Sequence, residues 1–359
     1  MSRRYVLPLA DCALEEAGRV GGKAVGLGRL LRQSLTVPPG FVVTADAYRD
    51  WVAGRALQQH LDRLLAGAAD AASERAVAAR IQALFDDAEH AGDLVAEIGA
   101  AYARLGEGAD VPAAVRSSAT AEDRRDASFA GQQETFLGVT GTAAVVRHVV
   151  RCWASLFTPH AIGYRRRLGV PADQVAMAVV VQRVVPAEAS GVMLTVDPVT
   201  GDPSQIDIEA THGLGMPLVG GEITPDRYSV DKVSLEIRSR AIARQPFADR
   251  LDPATGAVVR VDLPGEEGGS PCLQEPEVAL IAETGRLIEQ AQGGPVDVEW
   301  AIGPGPAGSR QLSLLQARPE TVWSRRRRAP VAQPGTTPLD RIVSMMLKGV
   351  RTPGTRSQT

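Results

Sequence analysis

The repeat of apolar and polar positions changes period several times along the chain, and each change marks an element. Residues 5–10 (YVLPLA) predict a short strand. Leu27, Leu30, Leu31 and Leu35 then recur at helical spacing. Just ahead of them, Val20-Gly21-Gly22-Lys23-Ala24-Val25-Gly26-Leu27-Gly28 reads as a turn opening that helix, with Lys23 near the positive end of its dipole. Val37 to Thr44 (VPPGFVVT) is a rigid turn into a strand, and Thr44 is a suitable cap for a helix from Ala45. Over residues 45–107, Trp51, Leu57, Leu61, Leu64 and Leu65, and again Ile81, Leu84 and Phe85, fall at helical intervals, so this block is a helical scaffold.

The period then shortens. Glu134 to Val139 reads as a strand, and Gly141 to Arg167 as a helix pair restarted at Thr158-Pro159. Val175 to Val181 has no polar face, which predicts a strand buried on both sides. It runs into Gln182-Arg183-Val184-Val185 and stops at Pro186. Strands follow at Ala189 to Asp197 and Ile206 to Ala210, the latter closed by Gly213-Leu214-Gly215. Residues 227–245 alternate like a hairpin, 246–274 read as loop, and Glu275 to Gln292 is an amphipathic helix. Strict alternation returns over 296–302, where Asp297 and Glu299 share one face and Val296, Val298, Trp300 and Ile302 the other. A second strand over 311–318 is expected to put Leu312, Leu314, Gln316 and Arg318 on one face. Beyond Val322 an arginine run and a Pro/Gly-containing segment read as a linker or tail.

Composition narrows the class. The chain has 359 residues, 44% hydrophobic and 23% charged, which suits a globular protein with room for more than one lobe. Its formal net charge of −3 gives no global field for nucleic acid. No apolar run is long enough for a membrane span, and the three scattered cysteines form no disulfide framework. A cytoplasmic protein is therefore the expectation.

Two stretches carry candidate chemistry. In Val111 to Val139, Arg116 is followed by Ser117, Ser118 and Thr120, and then by the Gly131 loop. A guanidinium, short hydroxyls and a glycine admitting close backbone approach suit a polyphosphate. The Lys23 turn is no Walker A loop, because Ala24 stands where that motif places a magnesium-binding hydroxyl. In the second stretch, Asp297 and Glu299 beside Gln316 and Arg318 offer hard oxygen donors next to a phosphate-binding cation, as magnesium requires. A cross-strand salt bridge between Glu299 and Arg318 would use the same residues. The strand end at Gln182 to Val185 offers backbone groups and valines for an adenine ring, and equally reads as a connector. His148 and Cys152 share a helical face, but two side chains make no zinc site, and His60 and His90 lack nearby ligand partners in the sequence.

Taken together, GGKAVGLGRLL, VPPGFVVTADAY, AVRSSATAEDRRDASFAGQQETFLGV, ASGVMLTVDPVTG, HGLG, GGEITPDRY, DVEW and LLQARPE occur in the order of one known domain. Over about residues 5–322 the chain resembles the ATP-binding domain of the pyruvate phosphate dikinase and phosphoenolpyruvate synthase family. The resemblance implies an α+β fold of the ATP-grasp type, with two lobes closing over ATP. The lobes would span 1–183 and 184–323, with 324–359 as a basic tail. It implies that Lys23 and Arg116 bind phosphates and that the loop from Gly131 to Thr135 covers them. Gln182 would lie at the adenine hinge. Asp297, Glu299 and Gln316 would hold Mg2+, and Arg318 would stabilise the phosphates in transfer. Arg116, Arg318 and Glu299 are then the expected catalytic residues.

Two departures qualify that reading. Met216 stands where the family's GLGE motif ends in Glu, and His212 replaces an aromatic neighbour. None of the five histidines lies in the Thr-Ser-His context of the family's swivelling domain. The expectation is a stand-alone ATP-binding component that phosphorylates a histidine on a separate chain. That partner would carry the swivelling and acceptor-binding domains and serve pyruvate or another small hydroxyl acceptor, with AMP and phosphate as products. A nucleotide-binding regulatory subunit weakened by Met216 is the rival reading, and an ATP-grasp ligase the third.

Overall fold

The structure is a computed structural model that describes residues 5–55, 57–86, 92–120, 134–169, 171 and 175–323. The Gly131 loop and the tail over 324–359 lie outside the described residues. Nearly every apolar run predicted as a strand joins one of two antiparallel sheets. The first contains β1 (Val6–Pro8), β2 (Gly40–Val43), β3 (Ala113–Ala119), β4 (Thr135–Val139) and β5 (Met177–Arg183), in the order β1-β2-β5-β3-β4. The second contains β6 (Ala189–Leu194), β7 (Gln205–His212), β8 (Asp226–Asp231), β9 (Ile237–Ala241), β12 (Val296–Pro304) and β13 (Arg310–Pro319), in the order β13-β12-β6-β7-β8-β9. The mixture of helices and antiparallel strands makes the fold α+β.

Helices fill the spaces that these sheets leave. On one face of the first sheet lie α2 (Ala45–Gly54), α3 (Leu57–Leu65), α4 (Ala71–Asp86), α5 (Asp93–Leu105), α6 (Thr142–Ala154) and α7 (Pro159–Leu168). Their Trp51, Phe85, Tyr102 and Trp153 pack with Val115, Val179 and Val181 in one core. Ala178 and Val180, on the other face of β5, join a second core with α1 (Ala17–Arg32) and α9 (Glu275–Gln292). Burial from both sides is why β5 has no polar face. The second core also takes Met193, Ile208, Val298 and Trp300 from the second sheet, so α1 is packed between elements of both.

The N-terminal half of α1 shows how sequence sets this position. Gly21 has φ 75° inside the helix, breaking it into a lead-in turn and a main run that begins just before Lys23. A Cβ at Gly21 would lie 2.3 Å from the Ser118 carbonyl oxygen, so only glycine lets α1 meet β3 this closely. At Gly26 a Cβ would lie 2.7 Å from the Ala317 carbonyl of β13, and Leu314 N–H donates to Thr36 O at 2.8 Å just past the helix.

Three expectations change. The segment 246–274, read as loop, contains a hairpin of β10 (Phe247–Leu251) and β11 (Val258–Asp262). Arg260 clamps it, with its guanidinium 3.9 Å from the Phe247 ring centre and its Nε 2.9 Å from Asp249. The strands are short and carry alternating charges, so their apolar signal is weak. Thr44 stands at the N-cap of α2 but makes no side-chain cap hydrogen bond, and its buried hydroxyl has no partner among the described residues. By contrast Thr158 accepts from Ala161 N at 3.2 Å and does cap α7. Finally, β13 is bulged, as described below, and Leu312 and Leu314 turn away from Gln316 and Arg318.

Candidate functional site

The site is assembled where β3 of the first sheet approaches β12 and β13 of the second. Alternation along β3 sends Val115 into the helical core and puts Ala114, Arg116 and Ser118 on the opposite face. Ser118 Oγ donates to Val20 O at 2.9 Å, docking β3 on the start of α1. One step earlier, the Arg116 side chain reaches the second sheet. Its Nη1 donates to Leu315 O at 2.8 Å, and its Nη2 to Gln316 Oε1 at 3.1 Å and to the Glu299 carboxylate. Its Nε is buried and has no hydrogen-bond partner among the described residues.

The register of β12 with β13 places the remaining groups. Asp297 lies opposite Arg318 and Glu299 opposite Gln316, so all four share one face. Arg318 grips the Asp297 carboxylate through Nε at 2.9 Å and Nη2 at 2.7 Å. After Glu299 the pairing slips, and Trp300 faces Leu314. Leu315 is the extra residue of this bulge, which leaves its carbonyl aimed at Arg116 rather than along the ladder. The bulge also reverses the alternation: Leu312 and Leu314 join the core with Ile302 and Trp300, while Gln316 and Arg318 stay on the charged face.

Lys23 lies close by and is only 6% exposed. Its Nζ donates to Ser117 O at 2.8 Å, placing the ammonium against the backbone of β3 one residue past Arg116. Thr135 opens β4 directly opposite Arg116. Gln182 is buried in β5, paired with Gly40 and Ala114, and its side-chain amide donates to Pro38 O at 3.3 Å. Its side chain is thus used inside the fold, and its neighbours Val184 and Val185 face elsewhere. They join a small apolar cluster with Ala114, Leu137, Leu214, Ala301 and Leu315. Ala301 and Leu315 continue the two strands that carry Glu299 and Gln316, so an apolar wall adjoins the charged row.

In the sequence alone, no site role attaches to Leu214, Ala301 or the Leu315 carbonyl. The two adjacent leucines at 314 and 315 interrupt the alternation of β13, and that interruption is the signal of a bulge.

Among the described residues no group of three or more His, Cys, Asp or Glu converges as a metal cage. What the face provides is two carboxylates and an amide oxygen, a hard-oxygen set of the kind magnesium uses when phosphates complete its shell. A profile of the family described as "Pyruvate phosphate dikinase, AMP/ATP-binding domain" matches residues 17–337. The chain belongs to that family.

Curated relatives extend the comparison. A phosphoenolpyruvate synthase of Aeropyrum pernix is 38% identical over 374 residues, covering 93% of this chain and 44% of that protein. A probable phosphoenolpyruvate synthase of Archaeoglobus fulgidus is 41% identical over 321 residues, covering 88% of this chain and 42% of its own. A rifampicin phosphotransferase of Streptomyces sviceus is 39% identical over 325 residues, covering 90% and 36%. The chain therefore spans less than half the length of these relatives.

The charged face continues beyond the row already described. Asp297 lies opposite Leu194, which lies opposite Asp207, and Glu299 lies opposite Val192, which lies opposite Glu209. Glu209 pairs with Arg227 at 3.0 Å. Asp207 is pushed up to about 6 by burial and by the nearby Asp197 carboxylate. Among the described residues, no helix is long and apolar enough to cross a membrane.

Proposed function

We propose that this chain is an ATP-grasp phosphotransferase module that uses Mg-ATP to phosphorylate a histidine on a partner domain. The two sheets with their helices act as its lobes, divided near residue 183. The observation that carries the proposal is the reach of Arg116 from β3 onto the Asp297, Glu299, Gln316 and Arg318 face, with its buried Nε–H left without an acceptor. An unsatisfied guanidinium N–H beside a second arginine and a buried lysine is a donor set for phosphate oxygens.

In this reading Lys23, Arg116 and the Gly131 to Thr135 segment bind the phosphates. The wall of Val184, Val185, Leu214 and Ala301 receives the adenine, with the backbone near Gln182 as its edge. Asp297, Glu299 and Gln316 would hold Mg2+, which would supply charge neutralisation for the phosphates when bound. The partner histidine nitrogen attacks the β-phosphorus, the bond to the α-phosphate oxygen breaks, and AMP leaves. Water then removes the γ-phosphate as inorganic phosphate, and the phosphoryl group left on histidine passes to pyruvate or another small hydroxyl acceptor. Arg116 and Arg318 stabilise the charge that develops on the group in transfer. The expected partner is a separate chain carrying the histidine and acceptor-binding domains.

The regulatory reading draws on Met216, which is 44% exposed at the start of α8 (Met216–Val219) and brings a thioether where a carboxylate is expected. One experiment separates the two. The protein is incubated with Mg2+, a histidine-domain partner and ATP labelled at either the β or γ phosphorus. Transfer predicts β label on the partner histidine and γ label in free phosphate. Nucleotide binding without label on the partner supports the regulatory reading, and ADP as the product overturns the proposed chemistry.

A further inference from the structure

We infer that metal and nucleotide enter this site by exchanging ion-pair partners, with Arg116 pivoting on the Leu315 carbonyl. This rests on the site reading above and goes beyond it. Each oxygen-bearing side chain assigned to the metal is already engaged by a guanidinium. Arg318 holds Asp297 through two N–H groups, and Arg116 holds Glu299 and the Gln316 amide oxygen. A cation on those oxygens stands within a few ångströms of both guanidiniums, so it meets repulsion unless they move. A triphosphate drawing the arginines away leaves two carboxylates facing its own negative charge. Either ligand alone thus leaves one set of charges uncompensated, and only the two together satisfy both sets.

The bulge makes this exchange local. Arg116 has three acceptors, and the one contributed by the backbone, Leu315 O, makes no demand on the metal-binding side chains. Nη1 can stay on that carbonyl while Nη2 leaves Glu299, which turns the unpartnered Nε and the freed Nη2 toward phosphate. The coupling is reciprocal: the factor by which nucleotide tightens metal binding equals the factor by which metal tightens nucleotide binding.

Mn2+ replaces Mg2+ as the probe, and protein-bound Mn2+ is measured by equilibrium dialysis with and without α,β-methylene ATP, after subtracting the Mn2+–nucleotide complex formed in a protein-free control. Wild-type protein is expected to hold Mn2+ at least thirtyfold more tightly when the nucleotide is present. Without nucleotide, Arg116→Gln is expected to bind Mn2+ at least tenfold more tightly than wild type, because Glu299 and Gln316 are released. Arg227→Gln removes a cation paired to a carboxylate on the same sheet face outside the site, and is expected to stay within twofold. A wild-type protein that binds Mn2+ equally well with and without nucleotide overturns the exchange while leaving the metal site standing. So does an equal gain in Arg116→Gln and Arg227→Gln, which marks a general field effect. Failure of every protein to bind Mn2+ even with nucleotide overturns the site reading and the exchange with it. The wild-type comparison needs no variant, so a misfolded Arg116→Gln does not remove the test.

Discussion

Replacing Glu299 by Gln separates the two things this carboxylate does. In the fold it accepts from Arg116, whose side chain is 12% exposed against 30% for Glu299. The variant keeps a carbonyl acceptor at the same place, and Arg116 retains Leu315 O at 2.8 Å and Gln316 Oε1 at 3.1 Å. What is lost is the difference between a charge-assisted and a neutral hydrogen bond, roughly 1–1.5 kcal/mol at a partly buried site. For a fold of this size that corresponds to a fall in Tm of about 1–2 °C. In the reaction the same change removes a full charge from the metal-binding face. Loss of one preorganised electrostatic group costs about a hundred- to a thousandfold in turnover, or roughly 3–4 kcal/mol. Thermal unfolding followed by circular dichroism and AMP formation with the partner present measure the two effects on one preparation. A loss of stability beyond about 4 kcal/mol, with the surviving folded fraction active within tenfold of wild type, would refute the reasoning. Glu299 would then be a structural ion-pair partner and nothing more.

Three further outcomes follow from the same contacts. Gly21→Ala puts a Cβ 2.3 Å from Ser118 O at φ 75° and is expected to destabilise by about 3 kcal/mol or more, whereas Gly18→Ala, with open space around it, is expected to stabilise by up to about 1 kcal/mol; denaturant melts that give both the same sign contradict the α1 geometry. Asp207 has a raised pKa, so the folded chain binds its proton more tightly than the unfolded chain, and the cost of ionising it appears as pH rises through about 6. Asp207→Asn is therefore expected to stabilise by about 1–2 kcal/mol at pH 8, after discounting for partial exposure, and to change little below pH 4; urea melts at the two pH values check the sign. Burial pushes Arg165 down to about 10, its Nη1 and Nη2 have no hydrogen-bond partner among the described residues, and it stacks 5.3 Å from the Phe157 ring centre. Arg165→Met is expected to raise Tm by about 2–4 °C, and a loss of more than about 1 kcal/mol would contradict it.

Much of this was legible in the residues because the relevant signals are local. Alternation over 296–302 separates Asp297 and Glu299 from Val298 and Trp300, and the doubly apolar run at Met177 to Val181 announces the central strand. The Gly21 turn and the Lys23 position follow from glycine spacing at the start of a helical repeat. The bulge at Leu315 was harder to read, since it depends on how two strands pair, and it moved Leu312 and Leu314 to the other face. The β10–β11 hairpin escaped because its stability comes from the Arg260 clamp rather than from an apolar pattern. That Glu299 meets Arg116, 183 positions away in sequence, and not Arg318 on the adjacent strand, is a tertiary fact with no local trace.

The central claim is that the Arg116 face receives the phosphates of a nucleotide rather than merely tying two sheets together. Calorimetric titration of wild type and Arg116→Met with Mg-ATP and with AMP tests it most directly. The account predicts that the variant loses at least thirtyfold in affinity for Mg-ATP while AMP, which lacks the transferring phosphates, stays within threefold. Equal affinity of the two proteins for Mg-ATP would contradict it, and so would an equal loss for both nucleotides.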